Sequence, residues 1–268
     1  MAVAVAVVNL KGGVGKTAIS VNFAAYCGIN GLRTLLIDLD PQTNATLSCI
    51  DVATWQNHAT NKGTVADLFG LRKLASAQGR SKIASEVVMK SVFPLVDLIP
   101  SHLDLFTMDL EMSGATAREF KIQKAVREIE DNYDVIVCDC PPNLTIPTQN
   151  ALVLCSKYVV PVSPDYLSGL GVGLLLGRIA EFKDDAQLNI DLAGIVISRV
   201  GRPAQHREET VASLRATFGG DILTNQISER VAVSESASKS RSIYDSSDAT
   251  AIAEFEAVSL ELRGKLGI

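Results

Sequence analysis

The sequence has little of what metal-binding, secreted or membrane proteins use. Its three histidines, His58, His102 and His206, lie far apart, and none of its five cysteines forms a Cys-x-x-Cys pair. These spacings exclude the usual zinc motifs. The cysteines are odd in number and lie mostly in apolar runs, which indicates reduced, buried thiols of a cytoplasmic protein. No apolar run reaches transmembrane length, and the N-terminus lacks the basic region of a signal peptide.

Positive charge and aromatic side chains are also scarce. The 25 Lys and Arg residues are outnumbered by 30 Asp and Glu, for a formal net charge of −5. Any nucleic-acid binding must therefore come from a local basic patch. Aromatic residues make up 5% of the chain but hydrophobic residues 47%, which fits an interior of parallel strands and helices. We expect one domain, residues 1–268, with a doubly wound α/β fold and a mostly parallel sheet.

The chain does contain a glycine-rich loop between a predicted strand and a predicted helix. An apolar run at 3–8 precedes the loop, and a helical pattern at 18–26 follows it. This order is that of a phosphate-binding loop, in which backbone N–H groups and a helix N-terminus surround an anion. We predict that Lys16 reaches the β- and γ-phosphates and that Thr17 ligates Mg²⁺. The predicted nucleotide-binding residues are Lys11, Gly12, Gly13, Val14, Gly15, Lys16, Thr17 and Ala18.

Three carboxylates follow two further buried strands. Asp38 and Asp40 come after the apolar run 34–37, and Asp139 after 135–138. The C-terminal ends of parallel strands form the crevice where α/β sheets bind ligands. Asp38 and Asp40 share one face because side chains alternate along an extended chain. The strand that ends in Asp139 has the Walker B form, which delivers a carboxylate to the Mg²⁺ shell.

The remaining pattern predicts further helices and strands. The segment 48–94 is the least informative, and its basic stretch, 71–91, is either a partner surface or a solvated helical face. The spacing at 103–112 predicts a helix with Leu103, Phe106 and Leu110 on one stripe. We also expect helices at 115–130, 148–156, 167–182, 205–218 and 247–266, and strands at 96–100, 158–162, 191–198 and 222–227.

Four segments, taken in order, resemble the ParA/Soj group of partition ATPases within the MinD-like superfamily. They are 11–17, 38–46, 134–142 and 233–238, the last followed by 243–245. Lys11 resembles the early lysine of the deviant Walker A loop. The resemblance implies that this lysine acts across a dimer on the partner's nucleotide. Because the chain begins at its first strand, we expect it to lack the N-terminal helix-turn-helix domain of longer relatives.

The resemblance also implies a function. It implies ATP and Mg²⁺ as cofactors, an ATP-dependent homodimer, non-specific DNA binding, stimulation by a ParB-like protein and a location on the nucleoid. The predicted catalytic residues are Lys11, Lys16 and Asp40, with Asp40 orienting the attacking water. The predicted Mg²⁺ shell contains Thr17, Asp38 and Asp139.

The predicted DNA contacts are four arginines in the last third of the chain. Arg202 falls where the family often has a DNA-binding arginine, but Ser228 and Glu229 stand where relatives often have Pro-Arg. Because acidic residues lie nearby in the sequence, the alternative that these arginines only form a solvated surface remains. The predicted contacts are Arg199, Arg202, Arg230 and Arg241.

Three alternative functions remain at this point. A MinD-like membrane ATPase needs a basic amphipathic C-terminal helix, whereas the tail 253–268 mixes acids and bases and is typical of a packing helix. We therefore expect no membrane partner. An iron–sulfur reductase needs two ligand cysteines, and Cys140 alone stands near a suitable place. A ParA relative that positions a protein cargo stays open.

Overall fold

The computed structural model describes residues 2–71, 82–165, 167–201 and 205–268. Within them, seven strands form one sheet in the order β3-β4-β2-β5-β1-β6-β7. Only β3 runs antiparallel to its neighbour among these strands. The predicted fold class is confirmed. The strands are β1 Val3–Val7, β2 Thr34–Asp38, β3 Met89–Phe93, β4 Val96–Ile99, β5 Val135–Asp139, β6 Lys157–Val162 and β7 Asp191–Ile197.

Helices cover both faces of the sheet, and short 3₁₀ turns join several of them. In chain order they are α1 Lys16–Ile29, α2 Asn44–Cys49, α3 Val52–Asn61, α4 Val65–Phe69, α5 Ala84–Val87, α6 Met108–Glu111, α7 Lys121–Val126, α8 Ile146–Leu154, α9 Ser168–Asp185, α10 Gln205–Phe218, α11 Val231–Ser238 and α12 Ala249–Leu266. No helix in these ranges is long and apolar enough to cross a membrane.

The central strands are apolar throughout because both of their faces are covered. In β1, Ala4 and Ala6 point into one core and Val5 and Val7 into the other. The first core contains side chains of α4 and α6–α10, and the second contains side chains of α1, α2 and α12. Helix α12 is therefore a packing helix, as its mixed charge predicts, with Phe255 among its buried residues.

The chain reverses its winding direction at β1. From β1 the chain crosses to β2 on one side, and from β5 it crosses to β6 on the other side. Such a switch point leaves a crevice at the C-terminal ends of the strands, where α/β sheets bind ligands. The glycine-rich loop leaves β1 at this crevice. Asp38 and Asp139 end neighbouring strands there, as partners in the β2–β5 register.

The prediction for 103–112 is wrong in its buried face. The segment forms a 3₁₀ turn at Leu103–Thr107 followed by α6. The change of helix type rotates the stripe, so that Leu105 and Met108 are buried while Phe106 and Leu110 are exposed. A 3₁₀ turn has three residues per turn and shifts the facing positions relative to an α-helix.

Other predicted boundaries also change. The helix expected at 115–130 is reduced to a 3₁₀ turn and α7, in which Ile122 and Val126 are buried. The strand expected at 222–227 makes only isolated bridges near β7, at Ile222 and Ser228. In the stretch 71–91, residues 72–81 lie outside the described residues, and the rest contains α5 and the start of β3.

Candidate active site

The glycine-rich loop connects β1 to α1 through two left-handed residues. Gly13 has φ +74° and Gly15 has φ +85°. Residues other than glycine rarely adopt this backbone conformation, so the turn requires glycine at these two positions. Gly15 is also the N-cap of α1. The first N–H groups of α1, which have no partner inside the helix, therefore open onto the crevice.

Side chains hold the carbonyl groups of the loop. Lys16 Nζ donates to the carbonyl of Lys11 at 3.0 Å, and Ser198 Oγ donates to that of Val14 at 2.6 Å. The Arg199 guanidinium donates to the carbonyl of Gly13. The N–H and C=O of a trans peptide point in opposite directions. Because these side chains hold the carbonyl groups on one side of the loop, the N–H groups of the same peptides point to the opposite side. A ring of amides is what binds a phosphate.

Lys16 is almost fully buried, and desolvation lowers the pKa of its ammonium from the usual value. The nearby charges of Asp139 and Asp40 act in the opposite direction. A buried cation that faces acidic groups and a ring of amides is suited to contact phosphate oxygens.

Asp139 connects the end of β5 to the start of α1. Its two carboxylate oxygens accept hydrogen bonds from Thr17 Oγ1 and Ser20 Oγ, each at 2.8 Å. Burial raises the pKa of Asp139 to about 6. The predicted metal residues Thr17 and Asp139 are thus in direct contact. Ser20 was not predicted, although it stands one helical turn after Thr17, where a side chain shares its face.

Asp38 lies behind this pair and is fully buried. One oxygen accepts from the backbone N–H and the hydroxyl of Thr46, at 2.8 and 2.7 Å, and the other accepts from the N–H of Asp40 at 3.1 Å. Burial and the charge of Asp139 raise the pKa of Asp38. These bonds occupy both oxygens within the loop that follows β2. Asp139, by contrast, contacts Thr17 directly.

Asp40 lies at the mouth of the same crevice. Its side chain accepts from the N–H of Gln42 at 2.9 Å, and Ser101 Oγ donates to its carbonyl at 2.7 Å. It is nearly buried and close enough to Lys16 to affect that residue's pKa. Asp40 therefore lies close to the buried Lys16 ammonium.

Lys11 is held at the rim. Its backbone N–H donates to Asn9 Oδ1 at 2.9 Å, and Asn9 Nδ2 donates to the carbonyl of Pro161 at 2.6 Å. The Lys11 ammonium forms an ion pair with Asp165, in the loop after β6. Asp165 was not predicted, because no spacing in the sequence connects it to Lys11.

A cleft of about 1120 Å³ extends from the loop towards α11. Lys16 and Thr17 line the cleft together with residues of the segment 227–234. Ser228 of that segment donates its N–H and its hydroxyl to Glu254, each at 2.8 Å. A cleft that combines a buried cation with polar and apolar lining residues suits a nucleotide.

The residues suit Mg²⁺ bound together with phosphates. No cluster of three or more His, Cys, Asp or Glu in the described ranges could hold a metal alone. Mg²⁺ is usually bound by one or two protein groups together with substrate phosphates and water. The Thr17 hydroxyl and the Asp139 carboxylate are such groups. The five cysteines are buried and unbridged, as predicted.

The structure describes three of the four arginines that we predicted to contact DNA, and all three line the cleft. Arg199 lies on the glycine-rich loop and is ion-paired with Glu229. Arg230 is paired with Glu254 and with Asp248. Arg241 is exposed after α11. Arg202 lies outside the described residues. Of the three described arginines, Arg199 and Arg230 are therefore held in ion pairs, and Arg241 is exposed.

The chain is similar in sequence to known proteins. A family model described as an AAA domain matches residues 2–193. The chromosome-partitioning ATPase Soj of Treponema pallidum is 31% identical over 231 residues, covering 86% of this chain and 85% of Soj. The cell division protein PomZ of Myxococcus xanthus is 30% identical over 236 residues, covering 88% of this chain and 70% of PomZ.

A solved structure shows the same fold. Cobyrinic acid a,c-diamide synthase of Mycobacterium smegmatis, with bound ADP and magnesium, has a TM-score of 0.77 and 24% identity, with 100% of this chain and 97% of that chain covered. Together with the sequence matches, the loop, the Thr17–Asp139 contact and the strand order lead to one assignment. The chain belongs to the AAA-domain family and, within it, to the ParA/Soj type of partition ATPases.

Proposed function

We propose that this protein is an ATP-dependent partition ATPase that binds ATP with Mg²⁺ in the cleft. The observation that supports this most directly is the contact of Thr17 with Asp139 beside the buried ammonium of Lys16. A hydroxyl, a carboxylate and a lysine at the mouth of a glycine-rich loop are the groups that phosphoryl transfer requires. The whole chain acts as one ATPase domain.

The chain's own residues position the phosphates and stabilise charge. Lys16 and the loop amides bind the β- and γ-phosphates, and Thr17 and Asp139 hold the metal. Asp38, held by Thr46, adds a second carboxylate beside Asp139. Bound Mg²⁺ supplies positive charge that neutralises the phosphate oxygens. Asp40 orients the attacking water. Binding and charge neutralisation of this kind make up most of the catalysis of phosphoryl transfer.

Dimerisation completes the site. Lys11 stands on the exposed rim, with about half of its side chain accessible, and does not face the phosphate end of its own loop as Lys16 does. In an ATP-bound homodimer it acts on the partner's nucleotide and stabilises transition-state charge. Hydrolysis is therefore coupled to dimerisation, and a ParB-like protein stimulates it.

The dimer binds DNA without sequence preference. Because the net charge is −5, binding depends on a local basic surface that a dimer presents twice. Arg241 and Arg202 are the residues that we assign to this surface. The protein acts in the cytoplasm, on the nucleoid, without a membrane partner.

Light scattering of the protein with ATP, ADP or no nucleotide, always with Mg²⁺, tests the proposal. We expect a dimer with ATP and a monomer otherwise. Hydrolysis should rise more than linearly with protein concentration in the wild type, and Lys11→Gln should abolish that rise. Lys183→Gln, in the last turn of α9 where the ammonium pairs with Asp191, is the control and should behave as the wild type. A monomer with ATP, or full activity of Lys11→Gln, would contradict the proposal.

A further inference from the structure

The Lys11 ammonium is held by its own chain. Lys11 Nζ donates a hydrogen bond to Asp165 Oδ2, and the two side chains form an ion pair. The same oxygen accepts a second hydrogen bond from Ser163 Oγ at 2.6 Å. Lys11 and Asp165 are 154 positions apart and meet only because β6 lies beside β1. Both side chains are a little over half exposed, at 55% and 54%.

Hydrogen bonds with Ser163 and Ser168 hold the backbone of Asp165. The N–H of Asp165 donates to the carbonyl of Ser163 at 2.8 Å, and the N–H of Ser168 donates to the carbonyl of Asp165 at 2.9 Å. The Ser168 hydroxyl also bonds to this turn, at the first residue of α9. The carboxylate is thus presented at a fixed point beside the glycine-rich loop. Its contact with Lys11 and Ser163 lowers the pKa of Asp165, so it is charged at neutral pH.

The Lys11 ammonium can contact either Asp165 of its own chain or the nucleotide of the partner, but not both at once. At Asp165 it neutralises a carboxylate of its own chain, and at the partner's nucleotide it neutralises a phosphate. We propose that Asp165 is a positioning residue that holds Lys11 in the monomer and thereby limits dimerisation and basal ATP hydrolysis. This inference rests on the proposed function, in which Lys11 acts across the dimer.

The size of the effect follows from the exposure of the pair. Ion pairs between exposed side chains change an equilibrium constant by about 1.4- to five-fold. Two such pairs open when a symmetric dimer forms, so the effect on the dimer association constant is the square, about two- to 30-fold. The Lys11–Asp165 ion pair therefore weakens dimerisation only mildly, so ATP and a stimulating partner can overcome it.

The test is a double-mutant cycle on the full chain with ATP and Mg²⁺. Dimer dissociation constants are measured by sedimentation for wild type, Asp165→Asn, Lys11→Gln and the double variant. We expect Asp165→Asn to tighten the dimer by two- to 30-fold and to raise basal hydrolysis in parallel. In the Lys11→Gln background the same substitution should have no effect. Asp165→Glu, which keeps the charge, should return the dimer constant towards that of wild type.

Salt gives a second measurement. Because the pair is exposed, the difference between wild type and Asp165→Asn should shrink as ionic strength rises from 0.05 to about 0.5 M. An unchanged or weaker dimer in Asp165→Asn would overturn the inference while leaving the proposed function intact. So would an equal effect of Asp165→Asn in both Lys11 backgrounds. A wild type that stays monomeric with ATP would overturn both.

Discussion

Asp38 and Asp139 end neighbouring parallel strands at the same register position, and both are fully buried. The two carboxylates raise each other's cost of ionisation. The pKa of Asp38 is raised by burial and by Asp139, and that of Asp139 is raised to about 6 chiefly by burial. The site thus concentrates negative charge where a metal ion is expected. Without nucleotide and metal, this buried charge lowers the stability of the folded protein.

Asp139→Asn should therefore stabilise the nucleotide-free protein. A carboxyl whose folded pKa lies above its unfolded value binds protons more tightly when folded, so it lowers stability as pH rises from about 4 to 6. Asn does not titrate, and its partners Thr17 and Ser20 are hydroxyls that can reorient. We expect a gain on the order of 2 kcal/mol at pH 7.5 that shrinks at pH 4.5, measured by urea unfolding.

Asp134→Asn is the control for that experiment. Arg33 lowers the pKa of Asp134, which is exposed at the start of β5. A lowered folded pKa contributes stability above the unfolded pKa, so this substitution should cause a small loss at pH 7.5 and none at low pH. Equal effects of the two substitutions would contradict the argument from burial.

Lys16→Ala should weaken ATP binding. The buried ammonium is the cation that we expect on the phosphates, and a hydrogen bond to a charged group contributes about ten- to hundred-fold in affinity. Titration calorimetry with ATP and Mg²⁺ measures the loss, and circular dichroism checks the fold. Lys183→Ala, far from the cleft, should bind as the wild type does. Unchanged affinity in Lys16→Ala would refute the assignment of the loop.

Asp40→Ala should separate ATP binding from hydrolysis. The nearly buried carboxylate is our candidate for orienting water, so its removal should leave ATP binding intact and stop turnover. Light scattering should then show a persistent ATP dimer. Asp51→Asn, which changes another acid lining the cleft, should hydrolyse ATP normally. If Asp40→Ala stays monomeric with ATP, the sandwich dimer is wrong.

Arg241→Glu should weaken DNA binding by the ATP-bound dimer. One substitution removes two phosphate contacts per dimer, so the slope of log affinity against log salt should fall by about 2. Fluorescence polarisation with arbitrary duplex DNA measures it. Arg202→Glu should act in the same way. Arg178→Glu, on α9 across the sheet from α11, is the matched control, and an equal loss there would remove the assigned surface.

Arg199→Gln should act on the nucleotide and leave the DNA salt slope unchanged. Its guanidinium holds the carbonyl of Gly13 and is neutralised by Glu229. We expect weaker binding of ADP, measured without DNA, because the loop loses one of its supports. A reduced salt slope with normal ADP affinity would return Arg199 to the DNA surface.

The sequence alone predicted the α/β class, the phosphate loop and the placement of Asp38, Asp40 and Asp139 after buried strands. These features are local, since a run of β-branched residues, two glycines and a helix start are encoded by neighbours. It missed α3 and β3, where the segment 48–94 has no clear period. It also predicted one helix at 103–112 with Leu103, Phe106 and Leu110 on one stripe, whereas the chain makes a 3₁₀ turn followed by α6 and exposes all three side chains.

Tertiary structure decided which side chains meet. Lys11 meets Asp165, and Arg199 meets Gly13, because β6 and β7 lie on the same side of β1. Arg199 meets Glu229 because Val200 pairs with Ser228. Their separations of 154, 186 and 30 positions leave no periodic signal in the chain. The strand order depends on how the two faces of the sheet pack against helices to form the two cores. The identity of the loop is therefore readable from the sequence, whereas the contacts that hold and restrain it are not.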